Sequence, residues 1–281
     1  MASIGKTNQL TVVKEVPFGV YLDGEDLGQI LLPNAYVPEN CKTGDKLDVF
    51  IYCDSEDELI ATTKTPKAQV GEFAYLKAVS ASHVGAFLDW GLSKDLFVPH
   101  SEQRAKMQEG QWYVVYIYRE SQHVRIAATS KIEKFLGKYP PKYEIGAEVR
   151  LLVYEQTDLG YKAVINNSHQ GLLYKDELFR NIHVGDALQG YIKKIREDNK
   201  IDLILEKPGF QKPDELQAQI LDFLQQHKGF MALTDKSSAE LIKKVFGVSK
   251  KKFKVALGGL YKQRIVRITD EGVHLVVVVQ T

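Results

Sequence analysis

The sequence has little cysteine and no long apolar run. Its two cysteines, Cys41 and Cys53, belong to no CxxC pair and stand near no histidine at zinc-ligand spacing, so a metal or redox role is not expected. No segment reaches the roughly 18 apolar residues that a membrane-spanning helix requires, and the first ten residues lack the apolar stretch of a secretory signal. We therefore expect a cytoplasmic protein with no membrane partner.

Motifs that are typical of catalytic sites are also missing. The chain has no Walker loop, no GxSxG and no HExxH, and its histidines show no pattern of acid, base or nucleophile partners. The acidic run CDSEDE, residues 53–58, falls in a predicted turn between strands, where a solvated hairpin is a simpler account than a magnesium site. We predict that the protein is not an enzyme and uses no cofactor.

What is present is an ordinary globular composition with an uneven distribution of charge. The 281 residues are 44% hydrophobic and 26% charged, with a net charge of +1. Residues 1–66 hold 5 basic and 11 acidic residues (−6), residues 67–140 hold 10 and 7 (+3), residues 141–207 hold 10 and 11 (−1), and residues 208–281 hold 12 and 7 (+5). This asymmetry suggests that different segments have different partners.

One spacing recurs three times along the chain. A glycine is followed 14 residues later by proline or tyrosine and 25 residues later by a second glycine. The three sets are Gly19, Pro33, Gly44; Gly85, Pro99, Gly110; and Gly160, Tyr174, Gly185. A repeat of this kind indicates three copies of one structural unit.

Each unit also shows the alternation of short β-strands. An alternating apolar run follows each of the two glycines, and a closing strand begins at Ile60, Ile126 or Ile201 after a polar turn. About five short strands in roughly 65–75 residues favour a small Greek-key barrel. We expect the first glycine to let the second strand bend sharply. The predicted barrels occupy residues 1–66, 67–140 and 141–207.

The last segment, residues 213–281, follows a Pro- and Gly-containing linker, KPGFQKP, and has helical periodicity. The first predicted helix carries Leu216, Ile220, Phe223 and Leu224. The second begins with a capping box, Ser237 with Glu240, and runs to Gly247. The third follows Ser249 with an apolar stripe of Phe253, Ala256, Leu257 and Leu260. With a hairpin of RIVRIT and VHLVVVV, this order predicts an α+β winged helix.

The middle unit resembles a known domain. Its segments GAFLDWG, LFVPHS, EGQWYVVYIY and VRIAATSK are similar to those of the S1 (S-one) RNA-binding domain, an OB-fold module, and the other two units resemble it through the shared spacing. Three such barrels followed by a winged helix resemble the conserved virulence factor B family of bacterial RNA-binding proteins. The resemblance implies a mainly β fold of three tandem five-stranded OB-fold barrels and a C-terminal α+β winged helix, with effects on gene expression, including virulence-type genes, and no catalysis.

The resemblance also suggests which side chains contact RNA. Its stacking positions flank the first glycine, where the units place Phe18 and Tyr21, then Phe87, then Lys162. In the third strand the usual histidine is replaced by proline twice and by Tyr174 once. The phenylalanines and Tyr21 fit either an exposed stacking surface or an ordinary barrel core.

Basic residues complete the predicted RNA contacts, and for each of them a solvated surface position is the alternative. Arg125 lies where closing strands of S1 domains often carry a basic contact. The third unit adds Lys193, Lys194 and Arg196, and the third helix of the winged domain adds Lys250, Lys251, Lys252 and Lys254. In a winged helix the third helix is the usual recognition element.

The predicted function is multivalent, weakly sequence-specific binding of single-stranded RNA, in which weak barrels on one chain reinforce one another. Two alternatives remain open. The winged helix could read duplex DNA in a transcription regulator, or the barrels could serve a ribosome-associated or protein-interaction module. The sequence predicts neither the RNA target nor the oligomeric state.

Overall fold

The structure is a computed structural model in which five stretches of the chain are described. They are residues 1–120, 125–137, 142–178, 181–206 and 215–276. The chain divides into two compact units, Met1–Leu205 and Glu206–Thr281. The predicted linker KPGFQKP, the last three residues of the predicted strand VHLVVVV (277–279) and residues 280–281 lie outside the described residues.

The first unit contains three closed barrels of five strands, as predicted. The first barrel consists of β1 (Thr7–Val16), β2 (Gly19–Asp23), β3 (Gln29–Pro33), β4 (Lys46–Cys53) and β5 (Leu59–Thr62). The second consists of β6 (Phe73–Ala81), β7 (Gly85–Asp89), β8 (Leu96–Pro99), β9 (Trp112–Arg119) and β10 (Ile126–Thr129). The third consists of β11 (Glu148–Gln156), β12 (Gly160–Ile165), β13 (His169–Tyr174), β14 (Ala187–Ile195) and β15 (Ile201–Ile204). In each barrel the third strand pairs in parallel with the fifth and the other pairings are antiparallel.

The register of the second and third strands explains the 14-residue spacing. Gly19 lies opposite Pro33, and the corresponding glycine of each other barrel lies opposite Pro99 or Tyr174. A Cβ on Gly19 would lie 2.2 Å from the Leu32 carbonyl oxygen, and the equivalent contacts at the other two glycines are 2.4 and 2.0 Å. The close approach of the neighbouring strand therefore requires glycine at these positions.

A bulge in the first strand explains why each unit has a second glycine. Gly44 has φ +98°, and its N–H donates to the Val12 carbonyl at 2.8 Å, directly before the register shift between β1 and β2. The other two barrels repeat both the bond and the shift. The position that bonds to the bulge of the first strand thus requires a positive φ. Glycine adopts this conformation at little energetic cost.

The three barrels pack directly on one another. Phe50 and Tyr52 of the first barrel share an apolar cluster with Trp90 of the second, and the rings of Phe50 and Trp90 meet edge to face at 5.6 Å. Between the second and third barrels, the Asn167 side chain accepts from the Phe73 N–H at 2.7 Å and donates to the Gly71 carbonyl at 2.8 Å. Neighbouring barrels are therefore held in defined contact within this unit.

The second unit has the predicted order of helices and wing strands. Its elements are α1 (Glu215–Gln226), β16 (Phe230–Met231), α2 (Ala239–Phe246), α3 (Lys250–Lys262), β17 (Val266–Ile268) and β18 (Val273–Leu275). The strand order is β16-β18-β17, and the short strand β16 was not predicted. The predicted stripe of α3 is buried in the core against α1 and α2.

The caps of these helices follow the predicted chemistry with one correction. Ser249 caps α3 by accepting from the Lys252 N–H, as expected. For α2 the predicted cap, Ser237, is wrong by one position, because Ser238 accepts from the Leu241 N–H while the Ser237 hydroxyl accepts from Thr234 N–H. Within the described residues, no helix is long and apolar enough to cross a membrane.

Candidate nucleic-acid interface

The outer surface of the second barrel carries two facing phenylalanines. Strand alternation turns Ala86 and Leu88 into the barrel core and leaves Phe87 half-buried on the outside. Phe97 of β8 lies directly opposite Phe87, with ring centroids 5.1 Å apart. We call Phe87, Phe97 and Arg125 the second-barrel face. Its residues line a cavity of about 500 Å³ together with residues of the first barrel.

The cation of this face is held by the neighbouring barrel. The Arg125 Nε donates to Asp57 Oδ2 at 3.0 Å, and its Nη2 also bonds to that carboxylate. Lys94 lies 3.7 Å from the Asp57 carboxylate. The hydrogen bond from Arg125 lowers the pKa of Asp57 below its ordinary value. The acidic run forms the solvated hairpin that was expected, because residues 55–58 are exposed between the antiparallel strands β4 and β5. Its Asp57 also contacts the second barrel.

The third barrel presents a different surface at the equivalent positions. Tyr174, Arg196 and Asp202, with Lys162 and Leu172, form the third-barrel face and line a cavity of about 540 Å³. The Arg196 Nε donates to both Asp202 oxygens at 3.0 and 3.1 Å, and its Nη2 donates to the Tyr174 hydroxyl. Two of the predicted RNA-contacting side chains therefore bond to each other and to a carboxylate.

The remaining predicted cations of the third barrel differ in their partners. Lys162 forms an ion pair at 2.9 Å with Glu155, which lies opposite it on β11. Lys193 forms an ion pair with Glu177. Lys194 is exposed. Neither Lys193 nor Lys194 lines the cavity that Lys162 and Arg196 share.

The first barrel carries its two predicted aromatics together on the surface. Phe18 is 55% exposed, Tyr21 is half-buried, and their rings meet edge to face at 6.4 Å. Lys14 lies opposite Tyr21 on β1 and is exposed. This pair fits an exposed contact surface better than the barrel core, to which the neighbouring Val20 and Leu22 contribute.

The winged domain places its four predicted lysines around the first turn of α3. The Lys250 ammonium donates to the Lys236 carbonyl at 3.4 Å, and Lys254 lies 3.8 Å from the Asp235 carboxylate. Lys251 and Lys252 are exposed. All four lie off the buried stripe, so α3 offers a basic, solvent-facing N-terminal end.

Sequence reasoning missed three side chains at these surfaces. Phe97 could have been found, because the 14-residue spacing pairs Gly85 with Pro99 and therefore places residue 97 opposite residue 87. The spacing within one unit cannot identify Asp57, because this residue of the first barrel binds Arg125 of the second barrel. Asp202 lies beside Leu172 in the parallel pairing, but no local pattern indicates that it binds Arg196.

Comparison with known proteins agrees with this architecture. Residues 4–64 and 70–130 match the S1 domain family, and residues 218–275 match the CvfB-like winged helix domain family. Both are families of nucleic-acid-binding domains and not of enzymes. Their presence suggests nucleic-acid binding.

Relatives with similar sequences extend over most of the chain. The uncharacterized protein YitL of Bacillus subtilis is 27% identical over 92% of this chain and 89% of its own length. Conserved virulence factor B of Staphylococcus haemolyticus is 26% identical over 84% of this chain and 82% of its own. A crystal structure of a multidomain protein with nucleic acid binding domains from Streptococcus pneumoniae is 22% identical, covers 97% of this chain and 98% of its own, and has a TM-score of 0.45.

With S1 domains in the first two barrels, a CvfB-like winged helix domain at residues 218–275 and relatives named conserved virulence factor B that align with most of its length, this chain is similar to the conserved virulence factor B family.

Proposed function

We propose that this protein binds single-stranded RNA and that the second-barrel face is its principal site. The observation that carries the proposal is the pair of half-buried rings, Phe87 and Phe97, which lines the same cavity as Arg125. Unpaired bases stack on aromatic rings, and cations contact the phosphates between them. Of the three barrels, only the second has a phenylalanine at both of these paired positions, since the others have Tyr21 with Leu31 and Lys162 with Leu172.

The other surfaces supply weaker, additional contacts. Phe18 and Tyr21 offer rings on an acidic barrel, the third-barrel face offers a single ring, Tyr174, whose hydroxyl already accepts from Arg196, and α3 offers lysines. Separate weak sites on one chain raise the overall affinity when one strand reaches two of them. In keeping with its family resemblance, we assign the protein a role in the control of gene expression through such contacts.

The proposal is tested by replacing the aromatic rings with smaller but still apolar side chains. Phe87→Leu and Phe97→Leu keep apolar packing, and leucine is the natural residue at the position of Phe97 in the third barrel, Leu172. Fluorescence anisotropy with a labelled single-stranded RNA should show a loss on the order of 1–3 kcal/mol per stacked base for the variants, or about 5- to 150-fold. Unchanged thermal unfolding serves as the control for folding. Unchanged affinity of the double variant would exclude this face as the principal site.

A second candidate function is duplex DNA binding through the winged helix, which is favoured by the exposed lysines at the start of α3. Lys251→Gln with Lys252→Gln should weaken binding and reduce the salt slope by about 0.7 per lost contact on a single strand, or 0.9 on a duplex. The matched pair, Lys250→Gln with Lys254→Gln, should lose less because both of those ammonium groups have partners.

Parallel titrations with single-stranded RNA and duplex DNA separate the two functions. A loss for the Lys251 and Lys252 variant that is confined to the duplex would favour a transcription regulator. A loss shared by both nucleic acids would assign α3 to the RNA-binding surface.

A further inference from the structure

The acidic turn of the first barrel lies against the second-barrel face. This turn, residues 54–58, connects β4 with β5 and contains four acidic residues. It is internally ordered, because the Asp54 carboxylate accepts from the Glu56 and Glu58 N–H groups at 2.9 and 3.1 Å. Asp57 adopts a left-handed conformation (φ +65°) and carries the carboxylate that binds Arg125.

The contact involves more than one cation of the second barrel. Besides Arg125, the Lys94 ammonium lies 3.7 Å from the Asp57 carboxylate and also donates to the Asp54 carbonyl. The turn and the two rings border the same cavity of about 500 Å³, which is also lined by Glu120 and Asp95. The Asp57 carboxylate thus pairs with Arg125 and Lys94, two cations that could otherwise contact a phosphate of a bound strand. The rings of Phe87 and Phe97 in the same cavity are only half-buried.

We propose that the acidic turn is an internal competitor of nucleic-acid phosphate, so that a strand stacks on Phe87 and Phe97 with its full charge contacts only when it displaces Asp57 from Arg125. The proposal rests on the RNA-binding function proposed above and describes its regulation. The pKa of Asp57 is lowered by the hydrogen bond from Arg125, so this carboxylate stays charged throughout the neutral pH range. A competing anion, and not a proton, is therefore what releases Arg125.

The energetics of the contact are compatible with displacement. The side chains of Arg125 and Asp57 are 59% and 40% exposed. Ion pairs with this exposure are weak and are screened by salt. A polyanion with several phosphates can therefore displace the Asp57 carboxylate from Arg125. The acidic turn lowers the affinity of the second-barrel face for RNA and does not block it completely.

The test is a set of charge-matched variants of the full chain. Asp57→Asn removes the competing carboxylate, and Glu56→Gln removes the same charge from the same turn at a side chain that is exposed. With a labelled single-stranded RNA, Asp57→Asn should bind on the order of two- to fivefold more tightly than the wild type, the size expected for releasing an exposed ion pair. Its salt slope should steepen by about 0.7 for each freed cation. Glu56→Gln should change neither quantity beyond its small effect on net charge.

A double variant shows whether the gain passes through Arg125. Arg125→Ala combined with Asp57→Asn should return close to the affinity of Arg125→Ala alone, with any remaining gain limited to the single contact of Lys94, which lies 3.7 Å from the Asp57 carboxylate. Equal affinities and salt slopes for Asp57→Asn, Glu56→Gln and the wild type would contradict the proposal that the acidic turn competes with phosphate. In that case, RNA binding by the wild type that is weakened by Phe97→Leu would still support the proposed function. If neither the wild type nor Asp57→Asn binds single-stranded RNA, the proposed function itself fails.

Discussion

The second and third barrels share one backbone plan and differ in the chemistry of one surface. Both have the same strand order, the same opposing glycine and the same bulge in the first strand. At the paired surface positions the second barrel has Phe87 and Phe97, where the third has Lys162 and Leu172. The second barrel receives its carboxylate from another barrel, whereas the third supplies its own in Asp202. The repeated units therefore share one backbone scaffold, whereas the aromatic and charged side chains on the equivalent surface differ from barrel to barrel.

The largest expected effect tests whether the scaffold is truly shared. Gly85→Ala and Gly160→Ala would each place a Cβ within 2.4 or 2.0 Å of a carbonyl oxygen of the neighbouring strand. Each should destabilise its barrel by about 1–3 kcal/mol or more, as overpacking does. Urea unfolding followed by circular dichroism measures the change. Gly258→Ala is the control, because that position in α3 has open space and alanine should stabilise a helix interior by about 0.5–1 kcal/mol. If only one barrel responds, the two scaffolds are not equivalent.

The next largest effect is expected when the aromatic pair is introduced into the third barrel. Lys162→Phe with Leu172→Phe reproduces the rings of the second-barrel face at the same register. Since stacking contributes about 1–3 kcal/mol per base, affinity for single-stranded RNA should rise by up to about tenfold when the new site is partly used. Anisotropy titration in the background of Phe87→Leu and Phe97→Leu isolates the new face. An absence of any gain there would mean that the ring positions alone do not define the site.

A smaller effect concerns the carboxylate of the third-barrel face. Asp202→Asn removes the charge that binds Arg196 and keeps a similar shape. The Asp202 side chain is only 12% exposed, so loss of the pair should also lower the stability of the third barrel. In anisotropy titrations under conditions where the variant stays folded, the freed guanidinium should raise RNA affinity by less than about fivefold and steepen the salt slope by about 0.7. A fall in affinity would instead show that Asp202 holds Arg196 and Tyr174 in the orientation that RNA requires.

The smallest effect concerns the ion pair across β11 and β12. Glu155→Gln releases Lys162, but Glu155 also lies 3.4 Å from Arg104 of the second barrel. Because both side chains of the pair are still partly exposed, at 31% and 27%, and are screened by solvent, the change in RNA affinity should stay below about twofold. A larger gain, measured in the same titration at low salt, would place Lys162 among the main phosphate contacts.

Much of the fold could be predicted from local pattern, and much of the interface could not. Strand alternation and the spacing of glycines predicted the barrels, and a capping serine with an apolar stripe predicted α3, because these signals act between residues close in sequence. The same alternation left Phe87 open between core and surface, and the structure places it on the outside. The side chains that bind the predicted cations, Asp57 and Asp202, have no such local signal.

The sequence by itself determined the repeated unit of this protein. A glycine opposite Pro33, Pro99 or Tyr174 and a second glycine at the first-strand bulge are requirements of one barrel's own backbone, so they recur in each copy and can be recognised without the tertiary structure. The tertiary structure alone decided that Asp57 meets Arg125, 68 residues further along the chain. That contact depends on how two barrels pack, through rings such as Phe50 and Trp90, and a pattern confined to one barrel contains no information about the carboxylate of its neighbour.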